Sequence, residues 1–261
     1  MLSHNQIKFI NSLKIKKFRQ QHKAFIVEGE KSVNELLASK LITRQLFATT
    51  QWIEKNGSRL TAKNVECQEI TENELQKVSD LTTPNQVIAI AEIPDANGAL
   101  PYDSTKMLLA LDGIRDPGNL GTIIRTADWF GIETIVCSTG SADVYNPKVV
   151  QATMGSFART NVVYTDLREF LAHLNAGIPV FGALLKGQLL TEKHFTQPGI
   201  ILIGSESHGI SDELIPFINE PIYIPRYADD TKSSYAESLN ASIANGIICY
   251  EICKQLFKKY F

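Results

Sequence analysis

Three short stretches hold the side chains best suited to chemistry. The first is GIRDPGNLG, residues 113–121, followed by Arg125; the second is GSESHG, residues 204–209; the third is SLNAS, residues 238–242. Arginine is permanently charged, and its planar fork matches phosphate or carboxylate. Arg125 stands on a stretch of otherwise apolar or small residues, so it reads either as a grip on an anionic or polar group or as a weak i,i+3 surface partner of Asp128. Asn119 suits the N-cap of the helix that follows, Gly121 leaves room for a ligand or a second backbone, and Gly131 suits the helix C-terminus. In the second stretch, Gly204 and Gly209 let backbone close around a flat ligand. Glu206 offers a carboxylate to backbone N–H groups, and His208 is either a general base or a solvated loop histidine. In the third, Ser234 and Glu237 fit a capping box. Ser238, Asn240 and Ser242 then bring polar groups into the first turns of a helix, where backbone donors are free.

Several other chemistries are excluded by spacing. There is no G-K-[ST], so no P-loop, and GIRDPGNLG spaces its glycines differently from the dinucleotide fingerprint. GSESHG has Glu where a nucleophile elbow has Ser. A hydrolase using Ser205 or Ser207 with His208 would therefore lack both the elbow and an obvious acid partner.

The elements that must position these stretches alternate between strand and helix. The spacing predicts a helix over 4–21, strands at 24–30, 45–50 and 86–93, and helices at 31–38 and 73–78. A Pro- and Gly-containing linker follows. We expect domains at 1–94 and 105–261 joined by residues 95–104. In the second domain, apolar strands are expected at 107–114, 133–138, 161–165, 179–185, 199–206 and 221–225. Helices are expected at about 120–130, 146–154, 166–174, 211–218 and 237–259. This order predicts an α/β fold with a parallel sheet covered on both faces. All three chemical stretches leave strand ends, where open parallel sheets bind ligands. In the last helix, Leu239, Ile243, Ile247 and Tyr250 form an apolar stripe beside small residues, suited to an internal core or a subunit contact.

Composition sets the class. The 261 residues are 44% hydrophobic with a net charge of −2, so any nucleic-acid contact must be local. A local basic run exists: Lys14, Lys16, Lys17 and Arg19 lie before the first acidic residue, Glu28, and read as a phosphate-contacting surface or a solvated helix face. The four cysteines show no CxxC and no accompanying His cluster, which fits buried free thiols, a reducing cytoplasm and no metal. No apolar run is long enough for a membrane span, and no secretory leader is evident.

The three stretches, in this order, resemble the motifs of the SpoU (TrmH-like) branch of the SPOUT methyltransferases. The family's first motif is matched by Asn119, Gly121 and Arg125, its second by Gly204, Glu206 and Gly209, and its third by Ile224-Pro225 and then Ser238-Leu239-Asn240-Ala241-Ser242. FIVEGEKSVNELL, from Phe25 on, is similar to a segment of the small L30e-like RNA substrate-binding domain that many members carry. The resemblance implies a parallel-sheet SPOUT domain with a deep trefoil knot, preceded by an L30e-like α/β domain. It implies a homodimer, S-adenosylmethionine as methyl donor, and an RNA ribose 2′-hydroxyl as acceptor, with ribosomal RNA favoured by the extra domain and its basic run. A tRNA substrate and a non-catalytic RNA-binding relative are the alternatives. It further implies that Leu184, Ile203, Gly204, Glu206, Gly209, Ile224 and Leu239 hold the cofactor. Arg125 would act on the reacting ribose and its phosphate, with Asn119, Ser238 and Asn240 shaping the same pocket. The connection from Arg226 to Glu237 is longer than in many members, which suits a cover over the adenosine, an RNA contact or a disordered loop.

Overall fold

The computed structural model describes residues 1–63, 65–81, 83, 85–95, 102–175, 177–227 and 236–257. The chain divides into two units, Met1–Asn97 with Asp143–Arg159, and Gly98–Ala142 with Thr160–Phe261.

The first unit contains α1 (His4–Ser12), α2 (Lys16–His22), β1 (Ala24–Glu28), α3 (Glu30–Ala38), β2 (Thr43–Ala48), α4 (Thr50–Lys63), β3 (Cys67–Glu69), α5 (Glu72–Gln76) and β4 (Val87–Glu92). Its sheet runs β1-β4-β2-β3, with β4 antiparallel to β1 and β2, and β3 parallel to β2. Side chains alternate along each strand. Phe25, Val27, Val87 and Ala89 meet Val33, Leu36 and Trp52 on one face, while Ala24, Ile26, Ile88 and Ile90 meet Ile10, Leu13 and Val78 on the other. Helices therefore cover both faces.

The single helix expected over 4–21 is two. Ser3 and Gln6 form a capping box at the start of α1, and the chain breaks at Leu13–Ile15. Arg19 holds that break and is not a surface cation, which corrects its expected RNA-binding role. Its side chain is 2% exposed, donates from Nη1 to Leu13 O and Lys14 O, and is paired with Asp143 through Nη2 at 2.6 Å. Lys14 is paired with Asp80 at 2.6 Å, whereas Lys16 and Lys17 are exposed. Removing one partner of a buried pair leaves the other uncompensated. Arg19→Ala should therefore lower unfolding stability by about 3–5 kcal/mol in denaturant melts. A loss under about 1 kcal/mol, the value of an exposed pair, would contradict this placement.

The second unit starts with β5 (Leu108–Leu111), α6 (Pro117–Trp129) and β6 (Thr134–Ser138). The chain then forms α7 (Pro147–Ala152) within the first unit, where Val150 and Phe157 join the core that holds Trp52. It continues with β7 (Asn161–Thr165), α8 (Leu167–Ala172), β8 (Val180–Leu189), β9 (Ile200–Ile203), β10 (Glu220–Tyr223) and α9 (Ala241–Leu256). The sheet order is β10-β8-β9-β5-β6-β7, and every neighbouring pair is parallel. All residues of β5 and β9 are buried, as expected for strands covered on both faces. The strand order turns back at β5, whose neighbours are β6 and β9. The loops after β5 and β9 therefore leave adjacent carboxyl ends, the usual place for a ligand.

The helix expected over 211–218 is a turn followed by a 3-10 segment, Ile215–Phe217. Pro216 lacks the N–H that an α-helix would use there. The last helix is capped by Asn240, and the Ser234 of the expected capping box lies outside the described residues, as do 258 and 259. Cys67, Cys137, Cys249 and Cys253 are all free thiols. Burial pushes Cys137 up to about 12 and Cys253 up to about 11. Among the described residues, no helix is long and apolar enough to cross a membrane, and no group of three or more His, Cys, Asp or Glu side chains is placed to hold a metal.

Candidate functional site

The loop after β9 makes a tight turn. Ser205 and Gly209 exchange backbone hydrogen bonds, N to O at 3.0 Å and 2.9 Å, and Gly209 has φ +67°. A Cβ on Gly204 would lie 2.0 Å from the carbonyl carbon of Gly209, so only glycine lets the chain fold back here.

This turn aims Glu206 at the starts of two helices. Its Oε1 accepts from Asn119 Nδ2 at 2.8 Å, from Ala241 N at 3.1 Å, and from Asn240 Nδ2. Asn240 Nδ2 also donates to Asn119 Oδ1 at 2.9 Å, and Asn240 Oδ1 caps α9 through Ser242 N at 3.0 Å and Ile243 N at 3.3 Å. Three elements far apart in sequence are thus joined at one carboxylate. Asn119 does not cap α6, as its sequence context suggested. Asp116 does so, accepting from Asn119 N at 2.8 Å with Pro117 in the first turn, and this leaves the Asn119 amide free for Glu206. Asp112, at the end of β5, accepts from Ser211 N at 2.8 Å and Ser211 Oγ at 2.5 Å, so it fixes the chain leaving the turn.

Two cavities flank this junction. The larger, about 640 Å³, is bordered by every residue expected to hold a cofactor: Leu184, Ile203, Gly204, Glu206, Gly209, Ile224 and Leu239. Ser238 borders it too, and its walls are completed by apolar groups that sequence reasoning missed, among them Leu190, Ile222 and Ile248. The second, about 430 Å³, is bordered by Asp112, Arg115, Asp116, Asn119 and Ser138, and it shares the 205–209 turn with the first. Asn240 reaches the site through Glu206. Arg125 is exposed on α6 and is not among the described residues that border either cavity. Lys14, Lys16 and Lys17 belong to the first unit. Of the missed residues, Asp116 had a signal, since Asp before Pro commonly opens a helix. Asp112 and Arg115 had none beyond their place after a strand.

The model of the SpoU rRNA Methylase family matches residues 106–250, more than half of the chain and the whole of this site. The chain belongs to the SpoU rRNA methylase family. Ahead of the SpoU region, residues 4–89 match an MRM3-like substrate binding domain. Among curated SpoU relatives, the 23S rRNA (guanosine(2553)-2′-O)-methyltransferase RlmP of Bacillus subtilis is 30% identical, over 95% of this chain and 96% of its own length. A TrmH-family protein from Porphyromonas gingivalis has a solved structure with a TM-score of 0.81 and 40% identity, covering 97% of this chain and 98% of its own. An AdoMet-bound rRNA methyltransferase from Sinorhizobium meliloti superposes with a TM-score of 0.83 at 29% identity, covering 98% and 97%.

Proposed function

We propose that this SpoU protein transfers a methyl group from S-adenosylmethionine to a ribose 2′-hydroxyl of RNA, with ribosomal RNA as substrate. The observation that carries this reading is the Glu206 junction beside an apolar cavity of about 640 Å³. Ile203, Ile222, Ile224 and Leu239 supply apolar walls of the kind that take a purine, and the Gly204 backbone lies on the same cavity. The donor, when bound, supplies an already activated methyl on a sulfonium. The chain's own residues then have only to orient the ribose and help its hydroxyl lose a proton. Asn119, Ser238 and Asn240 shape that site in this reading, and Arg125 clamps a phosphate of the acceptor strand. Its guanidinium is a poor base, with a pKa above about 12.

The names of the relatives favour ribosomal RNA over tRNA, and a substrate-binding domain before the SpoU region is in keeping with it. Exposed Lys16 and Lys17 are offered as RNA contacts on that first unit. A homodimer is proposed on a separate observation. Leu239, Ile243, Ile247 and Tyr250 are 47%, 54%, 40% and 53% exposed, an apolar stripe along α9 suited to a second copy. The trefoil knot stays an inference from family membership.

The test is direct. Purified protein is mixed with methyl-labelled S-adenosylmethionine and, separately, with unmodified rRNA and tRNA pools; the RNA is then digested and the labelled nucleoside identified. A 2′-O-methylnucleoside from the rRNA pool is the expected result. Label in the tRNA pool alone would move the substrate class. Cofactor binding without label in either pool or in ribosomal particles would favour a non-catalytic RNA-binding relative.

A further inference from the structure

We propose that Phe18 and His22 form an aromatic platform on which unpaired bases of the substrate RNA stack; this deepens the RNA-substrate reading above and rests on it. The two residues stand four apart in α2, so they share one face of the helix. Their ring centroids are 6.5 Å apart, with planes 17° from parallel. Phe9 of α1 meets the His22 ring edge-on, at 5.1 Å and 82°, and so fixes its tilt. All three side chains are partly exposed, held from behind and still open to solvent. Nearly parallel rings suit a flat base, and Phe and His are among the side chains on which unstacked RNA bases stack.

The platform is held at both ends. Arg19 ties α2 back to the break after α1, through Leu13 O and Lys14 O. At the other end, Arg44 Nη1 donates to His22 O at 2.9 Å and Arg44 Nη2 to Lys23 O at 3.3 Å, where α2 stops in a left-handed Lys23. A surface that is already ordered loses less freedom on binding.

The charge around the rings selects the partner. No Asp or Glu occurs before Glu28, so neither helix carries a carboxylate. Lys14, Lys23 and Arg44 are paired with Asp80, Asp95 and Glu92, whereas Lys8, Lys16 and Lys17 are exposed. Lysines beside stacking rings fit a strand that offers both phosphates and bases. A duplex offers its phosphates alone, because its bases are already stacked on one another.

The experiment titrates the full-length protein into a fluorescein-labelled single-stranded RNA oligonucleotide, and into the same strand in a duplex, over a series of salt concentrations. Phe18→Leu keeps an apolar side chain but no ring. It should weaken single-strand binding by about 5–100-fold, the value of one stacked base, with little change on the duplex. Its slope of log affinity against log salt should match wild type, whereas Lys17→Ala should make that slope shallower by about 0.7. Phe18→Trp should bind at least as tightly as wild type. In methyl transfer to rRNA, Phe18→Leu should lose kcat/KM through KM. Single-strand binding by Phe18→Leu within about twofold of wild type, or an equal loss on the duplex, overturns the platform. So does a Phe18→Trp variant that binds as weakly as Phe18→Leu. A loss of transfer to ribosomal particles with binding of naked RNA intact would place a protein on these rings, and overturns it too. A wild type that binds in the expected pattern but transfers no methyl to any RNA pool leaves the platform standing and overturns the methyltransferase reading alone.

Discussion

Glu206→Ala should lose methyl transfer by about 10²-fold or more while the protein stays folded. The carboxylate is exposed, so water can replace it as an acceptor for Asn119, Asn240 and Ala241. The stability cost should therefore stay near about 1–3 kcal/mol. Geometry suffers more. Without Glu206 the hydrogen bonds from Asn119, Asn240 and Ala241 that tie the starts of α6 and α9 to the 205–209 turn are lost, and a displacement of about 1 Å in positioning groups costs on the order of 10²-fold in rate. Cofactor affinity should fall as well, because the turn is a wall of the larger cavity. Transfer rate, calorimetric donor affinity and a thermal melt, taken together, separate these effects. Wild-type turnover with a weakened melt would reduce Glu206 to a structural brace.

The second large effect is expected at Arg125. Arg125→Ala should lose about 10²–10³-fold in turnover, the range seen when one electrostatic donor to a reacting centre is removed. Donor affinity should be unchanged, because Arg125 does not border the larger cavity. Arg125→Lys keeps the charge but not the planar fork, so it should recover only part of the rate. Turnover at the wild-type level in the alanine variant would remove Arg125 from the site. A loss of donor affinity instead would mean that α6 itself had been disturbed.

Much of the second unit was legible because its strands are continuous apolar runs bounded by glycine and polar residues. Ile200–Ile203 and Leu108–Leu111 need no long-range information to be read. The seven residues expected at the cofactor came from the resemblance of the three loops to the SpoU motifs, and all border the larger cavity, whereas Leu190, Ile222 and Ile248 beside them were missed. What was missed depended on distant partners. Asn119 looks like a helix cap, and only the nearer Asp116 and the remote Glu206 reveal its other use. Arg19 looks like one cation in a basic run, until Asp143 is found beside it from 124 residues away. Helix α4 was not among the expected elements; Trp52 and Leu60, buried in the core, hold a stretch that carries Asn56-Gly57-Ser58, residues poorly suited to a helix. No local pattern could have assigned α7 to the first unit, since unit membership is set by what a helix buries against.

That assignment of α7 matters during synthesis. The first unit's core is completed by Val150 and Phe157, and Gly155 sits where a Cβ would be 2.5 Å from Glu35 Cγ. None of these residues has left the ribosome when Asn97 emerges. At about 5–20 residues per second, the nascent chain waits on the order of several seconds with an unfinished apolar surface around Phe25 and Trp52. Vectorial folding is therefore not open to this unit: its last tertiary contacts are made only after β5, α6 and β6 have been translated. A chain ending at Asn97 would lack Val150 and Phe157 and carry the same gap permanently.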